Sequence, residues 1–190
     1  NETKVGEKWV VQVTPNEGGS DGVANFSNNV TILEEEENCP VISSSGTYQM
    51  YNDYTGSPNT GPSCVYITAS NVMFDCNDHT ITNNGTANAI GIYVPSSTPS
   101  NVTIKNCNVS QYNNGIYLKN SDNNNLINNT AYNNSAFGFR LETSSNNVLT
   151  SNTAYSNTLE GFLIQTNSNN NNITNNTAYN NSRTGFYVIS

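Results

Sequence analysis

The chain has 190 residues, of which 34% are hydrophobic and 11% charged, and its net charge is −8. So few apolar and charged residues exclude a helical bundle, and no apolar run approaches the ~18 residues of a membrane span. The negative balance excludes an electrostatic grip on nucleic acid or on an anionic membrane.

Residues 9–15 alternate like a strand, residues 16–22 read as a turn, and residues 23–33 as a second strand. Residues 1–37 are therefore expected to be a β-hairpin followed by an acidic linker, Glu34-Glu35-Glu36-Glu37, which reads as solvated chain. Two strands alone are marginal in water. Three readings stand side by side: a cap on the domain that follows, the tail of a truncated domain, or a hairpin that completes a sheet in another subunit by strand addition. Trp9 is most simply the apolar plug of this end.

Residues 38–190 form the second unit, with 38–70 as a lead-in and capping coil and 71–190 as repeats. Strands are expected within 41–50, and a loop rich in Gly, Pro, Asn and Thr over 51–63. The four cysteines, Cys39, Cys64, Cys76 and Cys107, show no C-x-x-C spacing, and His79 is the single histidine, so no metal site is expected. An even count in an acidic, Asn-rich chain suggests disulfides and an oxidising compartment. Three pairings are possible; Cys39–Cys64 with Cys76–Cys107 is preferred, the first closing the 51–63 loop.

From residue 91 the chain repeats. Gly91-Ile92-Tyr93-Val94, Gly115-Ile116-Tyr117-Leu118, Gly138-Phe139-Arg140-Leu141, Gly161-Phe162-Leu163-Ile164 and Gly185-Phe186-Tyr187-Val188 follow one another at 24, 23, 23 and 24 residues. Asn-Thr-Ala-Tyr recurs at 129–132, 152–155 and 176–179. Each unit has period-2 stretches broken by Asn, Ser and Gly clusters, which forbid repeating helices, and the leucines of a leucine-rich repeat are missing. A parallel β-solenoid remains: all-β, coils of about 23 residues, three short strands each, five clear coils.

Stacking explains the composition. Equivalent positions lie about 4.8 Å apart, so each becomes a column of like side chains. Ile92, Ile116, Phe139, Phe162 and Phe186 form one inward column, and Val94, Leu118, Leu141, Ile164 and Val188 the next. Asn106, Asn129, Asn152 and Asn176 are expected to form an amide ladder. Asn and Gly also suit the left-handed conformation of tight corners. Lys119 and Glu142 should be rung neighbours on the outer side, a geometric marker worth roughly 0.2–1 kcal/mol.

The passage Ser70-Asn71-Val72-Met73-Phe74-Asp75-Cys76-Asn77-Asp78-His79-Thr80-Ile81-Thr82, then Gly91-Ile92-Tyr93-Val94 and Asn101-Val102-Thr103-Ile104-Lys105-Asn106-Cys107, resembles the right-handed parallel β-helix repeat family. That group spans pectate-lyase-like carbohydrate-binding proteins, sugar hydrolases and repeat proteins of archaeal and bacterial cell surfaces. The resemblance covers about residues 39–190, and the amino-terminal hairpin is similar to the end of an immunoglobulin-like domain. It implies a right-handed coil and leaves activity open, because the fold hosts lyases, hydrolases, adhesins and inert arms.

Carbohydrate cleavage on this fold implies Ca²⁺ held by clustered acids with a base nearby, or several aspartates in one groove. Here Glu142 and Glu160 lie in adjacent coils at different positions, Asp122 sits in a turn, and Asp75, Asp78 and His79 read as an ordinary corner. No catalytic residue and no cofactor is expected. Copper binding, also suggested by the resemblance, lacks ligands, with only His79, Met50 and Met73 beside bridged cysteines. Outward Tyr93, Tyr117 and Tyr187 could stack on sugar rings.

Glycosylation sequons occur at Asn1, Asn25, Asn29, Asn84, Asn101, Asn108, Asn128, Asn133, Asn172, Asn175 and Asn180. With the cysteines they point to an extracellular or cell-surface location and to covalent N-glycans. The sequence stops at residues 188–190, within the strand of a repeat, and an uncapped solenoid offers unpaired backbone groups for strand addition. The expected function is structural: a glycosylated component of a surface layer, sheath or filament. It stacks end to end on itself or on neighbouring domains, or is part of a longer surface protein. The alternative is a carbohydrate-binding or polysaccharide-cleaving module.

Overall fold

Alternating stretches of three to six residues cut off by Asn or Gly give short strands with sharp corners. The computed structural model describes residues 39–56, 63–95 and 99–189, together with the backbone of four short strands nearer the amino terminus. The strands from Val41 on fall into three parallel sheets. Sheet I holds Gly46–Gln49, Val72–Asp75, Thr103–Lys105, Asn125–Ile127, Val148–Thr150 and Asn172–Thr174. Sheet II holds Tyr54–Thr55, Thr80–Thr82, Asn108–Ser110, Thr130–Tyr132, Thr153–Tyr155 and Thr177–Tyr179. Sheet III holds Val41–Ile42, Ser63–Ile67, Ile90–Pro95, Asn114–Lys119, Phe137–Glu142, Phe162–Gln165 and Phe186–Ile189. The chain visits I, II and III in turn, making six coils between residues 46 and 189, one for each strand of the 6-stranded sheet II.

The lead-in segment thus contributes a full coil. Gly46–Gln49, Tyr54–Thr55 and Ser63–Ile67 pair in parallel with the strands of the next coil, so the loop expected over 51–63 contains a strand of sheet II. Nearer the amino terminus, Lys8–Trp9 pairs antiparallel with Val30–Ile32 and Gln12–Val13 with Asn25–Phe26, the hairpin expected there. Val30–Ile32 then runs parallel to Gly46–Gln49 as a further strand of sheet I. The side chain of Trp9 and the run Glu34 to Glu37 lie outside the described residues.

Inside, the columns stack as the register requires. Ile92 pairs with Ile116, Ile116 with Phe139, Phe139 with Phe162 and Phe162 with Phe186. The three phenyl rings lie face to face, with centroids 4.6 Å apart at both steps. Phe74, Ile104, Leu126 and Leu149 supply the inner face of sheet I, and Ile81, Val109, Ala131 and Ala154 that of sheet II, all fully buried. A core one side chain thick on each wall needs few apolar residues.

Each of the three corners carries an amide ladder. Between sheets I and II, Asn129 Nδ2 donates to Asn152 Oδ1 at 3.0 Å and Asn152 Nδ2 to Asn176 Oδ1 at 2.9 Å. The same oxygens accept the backbone N–H of Asn129 and Asn152. Asn134, Asn157 and Asn181 repeat this between sheets II and III. Between III and the next sheet I, Asn124 Nδ2 donates to Asn147 Oδ1 and the Asn147 N–H to Asn171 Oδ1, while Asn147 Nδ2 is buried without a partner among the described residues; Ser121, Ser144 and Ser168 flank this ladder. Backbone groups that turn away from the sheets thereby find partners without water.

Asn106 does not belong to the first ladder. Asn108 pairs with Thr130 but Asn114 with Phe137, so the third coil is one residue shorter between these points and counting back from its glycine shifts the column. The rung is Cys107, whose N–H donates to Asn129 Oδ1. Asn106 instead heads a column of left-handed corner residues, Asn106, Asn128, Ser151 and Asn175, with φ between 54° and 57°. Cys107 is bonded to Cys76, so a disulfide takes the place of an amide rung between the second and third coils. Cys39–Cys64, the other expected bridge, ties the first pass of sheet III to the second.

The repeat glycines have a reason other than left-handed geometry, which among the described glycines only Gly46 and Gly85 adopt. A Cβ on Gly115 would lie 2.6 Å from the carbonyl oxygen of Gly138, and one on Gly138 would lie 2.7 Å from that of Gly161 and 2.9 Å from Asn157 Nδ2. The column lets the second ladder pass close to sheet III.

Candidate functional site

Charge and aromatic surface concentrate on the outer face of sheet III. One outward column runs Tyr66, Tyr93, Tyr117, Arg140, Leu163 and Tyr187, and beside it runs Pro95, Lys119, Glu142, Gln165 and Ile189. Parallel pairing without bulges at these positions keeps like residues one coil apart. Tyr66 and Tyr93 have ring centroids 5.7 Å apart, Tyr93 and Tyr117 5.2 Å. The Arg140 guanidinium lies 4.6 Å over the other face of Tyr117 and 5.5 Å from the Phe137 ring.

Glu142 is the hub. Its Oε2 accepts from Tyr117 Oη at 2.5 Å, Arg140 Nη2 at 2.6 Å and Gln165 Nε2 at 3.3 Å, while Lys119 Nζ stands 3.9 Å from Oε1. Burial pushes the Glu142 carboxyl up, but the Tyr117 hydroxyl, Arg140, Lys119 and Gln165 outweigh it and hold the group below the usual carboxylate range. Burial and the hydrogen bond to Glu142 push the Tyr117 phenol well up. Burial also raises Tyr93, with Tyr66 and Glu142 adding to it and Arg140 opposing. The Lys119–Glu142 neighbours were legible in the sequence. The contributions of Tyr117 and Arg140 were not, because they depend on rotamers, Tyr117 reaching across a coil and Arg140 along its own strand.

Of the tyrosines with sugar-stacking potential, Tyr93 and Tyr117 have both ring faces covered, by Tyr66 and Tyr117 in one case and by Tyr93 and Arg140 in the other. Tyr187, opposite Leu163 in the last coil, is exposed. A second column, Tyr132, Tyr155 and Tyr179, lies on sheet II with stacked rings 5.1 and 5.0 Å apart.

The candidate acids do not converge. The Gly138 N–H donates to the Glu160 carbonyl, which sets Glu160 beside Phe137, five residues short of Glu142. At ~3.3 Å per residue the two positions are about 17 Å apart along the strand, and the carboxylates hold different partners, so they do not form a glycosidase pair at ~5–9.5 Å. Glu160 is buried with its carboxylate 3.5 Å from Arg183. The expected cluster of Asp75, Asp78 and His79 is divided. Asp75 holds Lys105 at 3.0 Å and the Asn106 amide in the next coil, whereas His79 Nδ1 faces Asp53 at 3.2 Å. Burial raises Asp75, but the Asn77 N–H, Asn106 and Lys105 bring it below its ordinary value. Among the described residues no three His, Cys, Asp or Glu side chains gather as metal ligands.

The sequons are distributed unevenly. Asn128 and Asn175 occupy the corner between sheets I and II, Asn84, Asn133 and Asn180 the corner between II and III, and Asn108 the face of sheet II. Asn101 lies at the remaining corner and Asn172 on sheet I. All of these are exposed except Asn108, which is half-buried with its Nδ2 donating to the Asp78 carbonyl. Asn25 is placed by its backbone alone, and Asn1 and Asn29 lie outside the described residues. Among the described residues no helix is long and apolar enough to cross a membrane.

A family model described as a right handed beta helix region matches residues 58–190. Neither a curated protein nor a solved structure matches the chain.

Proposed function

The chain belongs to the right-handed β-helix family, and from that premise we propose that it is an extracellular, N-glycosylated structural protein of a surface layer, sheath or filament. The observation that carries this reading is the state of the sheet III face. Its one carboxylate is held at Oε2 by Tyr117, Arg140 and Gln165 and at Oε1 stands 3.9 Å from Lys119 Nζ, and its interior tyrosines stack on one another and on Arg140. Such a face offers shape and rigidity to a neighbour rather than free groups to a substrate. Two disulfides and exposed sequons suit an oxidising exterior.

In this reading copies or successive domains associate by strand addition or end-to-end stacking, with the hairpin of residues 1–33 engaged in the contact. Deleting residues 1–33 is expected to abolish assembly, seen by electron microscopy of the purified variant beside the intact chain, while circular dichroism retains the β signal. Unchanged polymerisation would overturn it. A glycan array and a lyase assay with Ca²⁺ test the opposing class; saturable sugar binding or turnover would favour a carbohydrate-acting module instead.

A further inference from the structure

In the fourth, fifth and sixth coils the two corners that flank sheet II follow one rule. A left-handed residue points outward, the next residue is the inward ladder amide, and the one after opens outward again. Where the first is Asn and the third Thr or Ser, this geometry is a sequon with acceptor and hydroxyl on the same, solvent-facing side. The fourth coil supplies Asn128-Asn129-Thr130 and Asn133-Asn134-Ser135, and the sixth supplies Asn175-Asn176-Thr177 and Asn180-Asn181-Ser182. The fifth coil keeps the ladder amides and hydroxyls but has Ser151 and Ser156 in place of both acceptors.

The backbone does not ask for those serines. Ser151 and Ser156 have φ of 57° and 55°, a region that Asn occupies more readily than Ser. What the replacement changes is spacing: acceptors on one edge stand two coils apart, about 9.6 Å, rather than ~4.8 Å. A pyranose ring with its substituents is wider than a single coil step. The four Asn side chains are exposed, and among the described residues those of Asn133, Asn175 and Asn180 make no side-chain hydrogen bond, while Asn128 gives one to Asn106. Among the described residues no sequon lies on the outer face of sheet III.

We infer that Asn128, Asn133, Asn175 and Asn180 carry N-linked glycans on alternate coils, forming two sugar rows that border sheet II and leave sheet III bare for protein contact. The inference rests on the extracellular reading and adds the sites, their spacing and the uncovered face. The test is glycopeptide mapping of the full chain secreted from a glycosylating host, with enzymatic release in ¹⁸O water, for the wild type and for Ser151→Asn. The wild type is expected to be labelled at the four asparagines. The variant is expected to carry no more than two glycans per molecule on the edge of Asn128 and Asn175, by intact mass. Prepared without glycans, it should melt at or above the wild-type temperature. Three glycans together on that edge, or a less stable unglycosylated variant, would overturn the spacing argument. Thiol alkylation separates the levels: intact disulfides with bare corner asparagines overturn this inference alone, whereas reduced cysteines without glycan overturn the extracellular reading with it.

Discussion

Replacing Asn152 by Ala tests whether the ladders hold the solenoid or merely decorate it. Its Oδ1 accepts from the N–H and Nδ2 of Asn129, and its Nδ2 donates to the Leu126 carbonyl at 2.8 Å and to Asn176 Oδ1. Alanine deletes all four bonds at a fully buried site. At about 1 kcal/mol net for each bond the loss is about 4 kcal/mol, and an orphaned Asn129 N–H and Leu126 carbonyl add to it if water cannot enter. Asn176→Ala removes bonds of the same type from a half-exposed corner where water can replace them, so about 1–2 kcal/mol is expected there. Urea denaturation followed by circular dichroism gives both values, with near-ultraviolet circular dichroism of the stacked tyrosines as a second probe because repeat arrays can lose cooperativity. A loss below 1 kcal/mol for Asn152→Ala, or equal losses at the two sites, would refute the reasoning.

Gly138→Ala should cost about 1–3 kcal/mol although its φ is ordinary, because the new methyl meets the Gly161 carbonyl; calorimetry showing an unchanged melting temperature would count against this. Removing the Cys76–Cys107 bridge, with its separation of 31 residues, should cost about 3–4 kcal/mol by chain entropy. The pair Cys76→Ala with Cys107→Asn should then be about 1 kcal/mol more stable than Cys76→Ala with Cys107→Ala, since the new amide can reach Asn129, and equal urea midpoints would refute that. Glu142 and Asp75 titrate below their ordinary values in the folded chain, so their contribution is complete above the unfolded carboxylate range and lost as pH falls through the lowered folded values. Denaturation midpoints between pH 2 and 6 should therefore fall toward acid, with a shallower slope in Glu142→Gln.

The strands and inward columns were legible because like residues recur at 23 or 24 positions and alternate between faces. The sequence left three disulfide pairings open, and the preferred one forms, each bridge joining neighbouring passes. The Asn106 misplacement shows the limit of counting from a single landmark: one residue fewer before Asn114 shifted the column. Two further ladders, at Asn134 and Asn124, carried the same spacing in the sequence but lay among so many asparagines that composition masked them. The hub at Glu142 was only half visible, since Lys119 is a register neighbour whereas Arg140 reaches it from two residues away on its own strand. The glycines were placed correctly but for the wrong physical reason, because a close approach between coils leaves no trace in local preference.

Three amide rails running along the axis make the coil, rather than the residue, the quantum of length. Excising the stretch from one rung to the next at the same corner, such as 129–151, would rejoin every rail, whereas removing a rung asparagine without the rest of its coil would break the rail at that corner. Variation in length is therefore tolerated between rails, where residues 84–88 and Ala136 already bulge outward or pad a turn, and refused upon them. Such a molecule can be lengthened or shortened as a stack of interchangeable turns while its cross-section stays constant.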